Sequence, residues 1–311
     1  MDKLTQLYNK GLSRRNFLAG AGAVGAASVV AGCGGSGSGT SAAPTSYSDA
    51  DVLNFALNLE YLEAEFYLRA ATGSGLGTAD IGSSPGTVTV GSAAQVPGLS
   101  SAQQAILNEI AYEEQEHVRF LRAALGATTA ISRPAIDLSF FGPLAVAAGI
   151  TGSTFNPFSS FDAFLVGAFI FEDVGVTAYA GAAPLLTSST NLTAAAGILG
   201  VEAYHAGYVR TALTGRAIAA GSAAAYPYLG YANQVATLRA TLGGGNETQL
   251  TLPSSLTTPS AIVAASSTTG VGFSRSTSQV LHIVYGSATV GVAKGGFFPN
   301  GITSIFATTT A

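Results

Sequence analysis

The sequence predicts an all-α protein: an antiparallel four-helix bundle with a long crossover and an irregular C-terminal tail that packs on the bundle. Three observations predict this fold. Four stretches carry apolar residues at helical spacing, so each has one face suited to a core. Each of these apolar stripes also contains a carboxylate. A segment rich in Pro, Phe and Gly, residues 127–160, separates the second stretch from the third and is long enough to cross a bundle.

The chain has 311 residues, which is enough for one sizeable core with appendages. Only 10% of its residues are charged, with 13 basic and 17 acidic side chains, so we expect a polar but weakly charged surface. No basic or aromatic cluster suited to nucleic acid occurs, and we therefore expect no nucleic-acid partner.

Residues 1–33 have the pattern of an export signal, and residues 34–47 form a Gly/Ser-rich flexible linker. The segment SRRNFL, with Arg14 and Arg15, resembles the twin-arginine signal that exports folded bacterial proteins; an ordinary signal peptide is the alternative. The only cysteine, Cys33, ends the segment VAGC, which is typical of a lipobox; a plain cleavage site is the alternative. We expect an exported protein, periplasmic or on the outer face of the membrane, held at the membrane surface by a lipidated Cys33.

The first helix is predicted to begin near Ser48 and to stop by Gly73. Its apolar stripe contains Glu60, and Tyr67 follows seven residues later on the same face. Glu63 lies one turn away and is the alternative to Glu60 as a functional acid. A long loop follows over residues 72–99, in which TVTV at 87–90 suggests a hairpin.

The second helix is predicted over Ser101–Gly126, with Ser101 and Gln104 as a capping box. Its apolar stripe contains Glu114 and His117, three residues apart. A buried carboxylate costs several kcal/mol unless a positive group meets it. The neighbouring arginines leave this helix in other directions, so the pair predicts a metal ion.

The third helix, near Phe161 to Ala183, is apolar on all sides and resembles a membrane span by length. Glu172 and Asp173 at its centre favour a helix buried in protein instead. Glu172 lies in the apolar stripe, and Tyr179 follows seven residues later. This is the same pattern as in the first helix.

The fourth helix is predicted from about Asn191 to Gly215, and its Glu202 and His205 repeat the spacing of Glu114 and His117. The chain therefore reads Glu, Glu-x-x-His, Glu, Glu-x-x-His, which indicates a duplicated helical hairpin. This is the ligand pattern by which four helices hold two metal ions. The predicted ligands are Glu60, Glu114, His117, Glu172, Glu202 and His205, with Tyr67 and Tyr179 supporting them from outside. Four carboxylates balance the charge of two divalent ions, and mixed His and carboxylate donors suit two Fe or Mn ions.

A weaker helix is predicted over residues 228–242, which completes a bundle domain at 48–243. Residues 244–311 are predicted to form a loop-rich extension with a short helix around Ser276–Tyr285. His282 lies in that short helix without an acid at helical spacing. It is therefore interpreted as a packed or surface histidine rather than a ligand.

The segments LNFALNLEYLEAEFY, EEQEH, FEDVGVTAY, EAYHAGYVR and the tail VLHIVYG with GGFFPNG resemble the ferritin-like desiccation-related proteins of plants and bacteria. The resemblance covers roughly residues 48–302 and implies an antiparallel four-helix bundle with a di-metal centre. It also implies ligand roles for the six residues named above.

Two classes of function follow. As an enzyme, the protein would act on dioxygen as a di-iron oxidase or on hydrogen peroxide as a manganese-catalase-like dismutase. As a non-catalytic protein, it would bind metal permanently or protect the cell envelope under stress. The sequence leaves the choice between Fe and Mn, the electron donor and the oligomeric state open.

Overall fold

The computed structural model describes residues 46–91, 94–150, 155–222, 224–245, 247–252 and 262–311. The predicted export signal, most of the linker and Cys33 lie outside these residues. The helices are α1 (Asp49–Thr72), α2 (Ser101–Leu125), α3 (Phe141–Ala147), α4 (Phe161–Ala182), α5 (Ser189–Ala219), α6 (Pro227–Gly243) and α7 (Thr277–Val284). The predicted all-α fold is confirmed, and α1, α2, α4 and α5 form the bundle.

Hydrogen bonds at both ends show that α1 and α2 run antiparallel. The Asn54 side chain, near the start of α1, donates to Thr129 O just beyond the end of α2, at 3.0 Å. The Gln104 side chain, near the start of α2, donates to Ala71 O at the end of α1, at 3.2 Å. Helices α4 and α5 form the second antiparallel hairpin, as shown by the ion pair between Asp162 and Arg216 at their outer ends.

The crossover runs the length of the bundle. Tyr67 contacts Glu172 and Tyr179 contacts Glu60, so α1 and α4 are antiparallel. Helix α2 ends beside the start of α1, and α4 begins beside the end of α1. Residues 127–160, which connect α2 to α4, therefore run from one end of the bundle to the other. This matches the predicted long crossover.

A short parallel pairing forms between the loop and the crossover. Strand β1 (Val88–Thr89) pairs in parallel with β2 (Ile136–Asp137), and a 3-10 turn at Leu138–Phe140 leads into α3. The predicted hairpin at TVTV is therefore wrong. The strand finds its partner in the crossover segment that passes over it, and local sequence contains no sign of that distant partner.

The cap of α2 lies one residue earlier than predicted. Ser100, not Ser101, accepts from the backbone of Gln103, and the Gln103 side chain accepts from Ser100 N. Both candidate pairs have the same spacing, so spacing alone could not separate them. Gln104 bonds across to α1 instead.

Helix α4 is the one helix in the described part of the chain that is long and apolar enough to cross a membrane, yet 89% of its apolar window is buried inside the protein. Its Asp173 accepts hydrogen bonds from Arg210 at 2.7 Å and from Arg239 at 2.8 Å. Arg239 and Arg275 also pair with Glu247. This buried network agrees with a helix at the centre of a protein core.

The C-terminal extension packs on the bundle, as predicted. The buried Phe297 ring lies 4.9 Å from the Phe141 ring and 5.0 Å from the Phe171 ring, between centroids. The Asn58 side chain of α1 bonds both the N–H and the carbonyl of Thr303. His282 is packed, and its two ring nitrogens face backbone carbonyls of the extension itself.

Candidate metal centre

The structure brings all six predicted ligands together in the middle of the bundle. Antiparallel pairing places the mid-points of α1, α2, α4 and α5 at the same level, and each helix turns its stripe acid inward. The residues are almost completely buried: Glu60, Glu114 and Glu202 are 0% exposed, Glu172 1%, His205 4% and His117 7%. The repeated Glu and Glu-x-x-His pattern of the sequence therefore corresponds to one buried cluster in the structure.

The donor atoms form two groups that share Glu114. Atoms of Glu60, Glu114, His117 and Glu202 lie within 4.8 Å of one another, and so do atoms of Glu114, Glu172 and His205. Glu114 Oε2 is 3.5 Å from His117 Nδ1, and Glu114 Oε1 is 3.0 Å from His205 Nδ1. One carboxylate thus faces both histidines, so Glu114 could contribute a ligand atom to each of the two donor groups.

The two lone acids are held by tyrosines of the opposite hairpin. The Tyr179 hydroxyl donates to Glu60 Oε1, and the Tyr67 hydroxyl donates to Glu172 Oε1. The other oxygen of each acid faces a histidine: Glu60 Oε2 is 3.2 Å from His117 Nδ1, and Glu172 Oε2 is 3.5 Å from His205 Nδ1. Each tyrosine therefore fixes the orientation of one carboxylate across the bundle.

Unpaired atoms show that the residues fit a bound cation. Both oxygens of Glu114, both of Glu202, Glu172 Oε2 and His205 Nδ1 are buried without a hydrogen-bond partner. Some of these atoms lie close together, such as His205 Nδ1 and Glu114 Oε1, but their orientation does not form a hydrogen bond. Since buried polar atoms almost always have partners, six that converge on one space require an explanation. Carboxylate oxygen and imidazole nitrogen are donors that Fe and Mn accept.

In the ion-free protein, the acids and the histidines of the centre stabilise each other's charged forms. Burial alone would lower the pKa of His117, but the carboxylates of Glu60 and Glu114 outweigh it and raise the pKa to about 12. Burial alone would raise the pKa of Glu114, yet the two histidines beside its oxygens, His117 and His205, lower it to about 2. Protonated histidines thus supply the positive charge that the acids require.

Glu113 supports His205 from the solvent side. Its Oε2 lies 2.6 Å from His205 Nε2, and its side chain is 36% exposed. A carboxylate on the outer nitrogen holds the proton there and leaves Nδ1 free for a metal. Sequence reasoning missed this residue, although an acid directly before a ligand Glu was a usable signal. The matching position before Glu202 is Val201, which has no acceptor on its side chain.

The alternative acid of α1, Glu63, is also buried, with 6% exposed, but it lies outside both donor groups. Glu60 lies inside one of them. The remaining basic residues of α2 point away, as predicted: Arg119 pairs with Asp80, and Arg122 donates to the hydroxyl of Tyr61.

A four-helix bundle with a buried Glu and His cluster of this kind defines a ferritin-like protein. A family model described as a ferritin-like domain matches residues 48–215, and the chain belongs to that family. The resemblance to the desiccation-related group is also confirmed by relatives. No solved structure matches the chain significantly.

Two curated relatives are informative. The chain is 32% identical over 205 residues to a desiccation-related protein of Craterostigma plantagineum. The aligned region covers 63% of this chain and 63% of that relative. It is 28% identical over 268 residues to a ferritin-like catalase of Nesocodon mauritianus, which covers 82% of this chain and 83% of the relative. The match to the catalase therefore extends beyond the residues that the ferritin-like family model covers.

Proposed function

We propose that the protein binds two Fe or Mn ions at this centre and decomposes hydrogen peroxide. The observation that carries the proposal is the set of buried, unpaired oxygen and nitrogen atoms that converge from four helices. The relative named a ferritin-like catalase supports peroxide as the substrate. Two redox-active ions, when bound, would supply the reversible electron transfer that these side chains lack.

The side chains of the centre divide the remaining tasks. Glu114 would hold both ions because it belongs to both donor groups, and Tyr179 and Tyr67 fix the lone acids Glu60 and Glu172. Because the four predicted carboxylate ligands balance two divalent ions, the loaded centre is close to neutral in a buried site. The apolar walls of the bundle exclude bulk water, which strengthens every electrostatic interaction inside.

We further propose that the protein works outside the cytoplasm. The twin-arginine pattern at Arg14 and Arg15 would export it folded, with its ions already bound. The linker at 34–47 and a lipidated Cys33 would then hold the bundle at the membrane surface, where it would remove external peroxide. A role in stress protection follows from that reaction.

The test is oxygen release from hydrogen peroxide by the purified, metal-loaded protein. We expect turnover in the wild type and its loss in Glu114→Gln. That variant replaces the carboxylate shared by both donor groups with a neutral amide, which binds metal ions more weakly. Glu109→Gln is the matched control, since Glu109 lies exposed on the same helix. A wild type that holds metal but releases no oxygen would contradict catalysis and leave the permanent metal-binding or envelope-protective function.

A further inference from the structure

A small cavity lies next to the metal centre, between α1, α4 and the C-terminal extension. Its volume is about 20 Å³, which is enough for one water molecule. Among the described residues that line it, Glu63 is the only one with a charged side chain, and the others are apolar or glycine. The cavity is therefore an apolar chamber with a single polar group on its wall.

Glu63 lacks the partner that a buried carboxylate requires. It is only 6% exposed, and its carboxylate has neither a hydrogen bond nor an ion pair in the described part of the chain. Glu65, two residues later, shows the usual arrangement: it is paired with Arg69 at 2.9 Å and with Arg133. An unpaired buried carboxylate indicates a small donor that is not part of the protein, and the cavity is where that donor fits.

Gly175 connects the cavity to the metal centre. A Cβ at this position of α4 would lie 2.2 Å from Glu202 Oε2 and 3.5 Å from Glu63 Oε1. The missing side chain thus leaves open the space between these two carboxylates. Both oxygens of Glu202 are unpaired as well. A molecule in the cavity that contacts Glu63 therefore lies directly beside one of the two donor groups.

We propose that this cavity binds one hydrogen-bond donor of about the size of water, which donates to Glu63 beside Glu202. In the resting protein the occupant is water, and during turnover it is hydrogen peroxide. The peroxide part rests on the proposed function, whereas the water part does not. Ile283, Val284 and Phe297 line the cavity, so the C-terminal extension contributes to the site.

Crystal structures of the metal-loaded protein test the binding site. We expect one ordered molecule within hydrogen-bond distance of Glu63 in the wild type, and its loss in Glu63→Leu, which removes the acceptor. Val284→Ile should displace it by filling the cavity. Val290→Ile is the matched control, because Val290 lies on the same extension but is 40% exposed. An empty wild-type cavity, or a molecule that stays in Glu63→Leu, would overturn the inference.

Kinetics test the peroxide part. At unchanged metal content, we expect KM for peroxide to rise about tenfold in Glu63→Leu, the loss expected for one hydrogen bond. Val284→Ile should behave likewise, and Val290→Ile should match the wild type. Unchanged KM in both cavity variants would overturn the peroxide part. A wild type without turnover would instead refute the proposed function, and the crystal structures would still decide whether the cavity binds a donor.

Discussion

Glu113 and Glu114 are neighbours in the chain, yet they serve the centre from opposite sides. Glu114 is fully buried and faces both histidines, whereas Glu113 reaches the outer nitrogen of His205 from the solvent side. The second hairpin has Val201 where the first has Glu113. The two donor groups are therefore unequal, because His205 has an outer carboxylate on its imidazole and His117 has no counterpart from the matching position.

This inequality predicts that Glu113→Gln weakens the binding of one ion more than the binding of the other. The loss of an outer carboxylate on a histidine ligand costs about 10- to 100-fold in metal affinity. Competition titration should show one weakened site and one unchanged site. Glu116→Gln is the control, because Glu116 lies on the same helix and pairs with Arg119 at the surface. Equal weakening of both sites would contradict the assignment.

The histidines also predict how stability depends on pH. In the ion-free protein the pKa of His117 is raised from 6.5 to about 12, so its contribution to stability is complete below pH 6.5 and is lost as pH rises toward 12. We expect the Tm of the ion-free protein to fall from pH 6.5 to pH 9 by several degrees.

The metal-loaded protein should behave differently. Its histidines bind as neutral ligands, so acid competes with the ions, and their stabilising effect is lost as pH falls. Thermal unfolding of the ion-free and the metal-loaded protein, followed as Tm against pH, tests both expectations. Parallel curves for the ion-free and loaded forms would mean that the histidines do not bind the ions.

The features of the helices that could be predicted are those that depend on the sequence of one helix alone. The apolar stripes placed α1, α2, α4 and α5 within a few residues of their observed ends, and the repeated Glu and His spacing located the centre. Local spacing could not choose Ser100 over Ser101 as the cap, and it could not pair β1 with β2. The acid directly before Glu114 was visible in the sequence, but its partner His205 lies in another helix, which no single segment shows.

Gly175 shows how one helix position controls the centre. In Gly175→Ala the new methyl group would lie 2.2 Å from Glu202 Oε2, so that carboxylate has to move. We expect the variant to lose most of its affinity for one ion while it remains helical, as metal titration and circular dichroism would show.

The matched control is Gly197→Ala in α5, where an added Cβ meets no atom within 4 Å. A glycine to alanine change inside a helix stabilises it by up to about 1 kcal/mol, so this variant should keep its metal and melt slightly higher. Gly175→Ala with wild-type metal affinity would contradict the assigned position of Glu202.

For the whole molecule, the bundle, the crossover and the extension form one support for the centre. The extension packs on α1 through Asn58 and on α4 through Phe297 and Phe171. The sequence predicted that the tail would pack on the bundle. It did not predict that the tail would line a cavity beside the centre, because the cavity forms only where three segments distant in sequence meet.

Export is the prediction that concerns the complete chain. Replacing both Arg14 and Arg15 by Lys should leave the precursor in the cytoplasm, because the translocase reads the arginine pair. Cys33→Ala should release the exported protein from the membrane fraction, because the lipid anchor is lost. Cell fractionation with immunoblotting checks both. Membrane retention of Cys33→Ala would show that lipidation is not the anchor.

The most direct test is the metal content of the purified exported protein, measured by elemental analysis. We expect about two Fe or Mn ions per chain. A variant with Glu60, Glu114, Glu172 and Glu202 changed to Gln, and His117 and His205 to Leu, should bind none and be at least as stable as the ion-free wild type, because a buried charge cluster is removed. A wild type without transition metal, even after reconstitution with Fe and Mn, would contradict a di-metal centre.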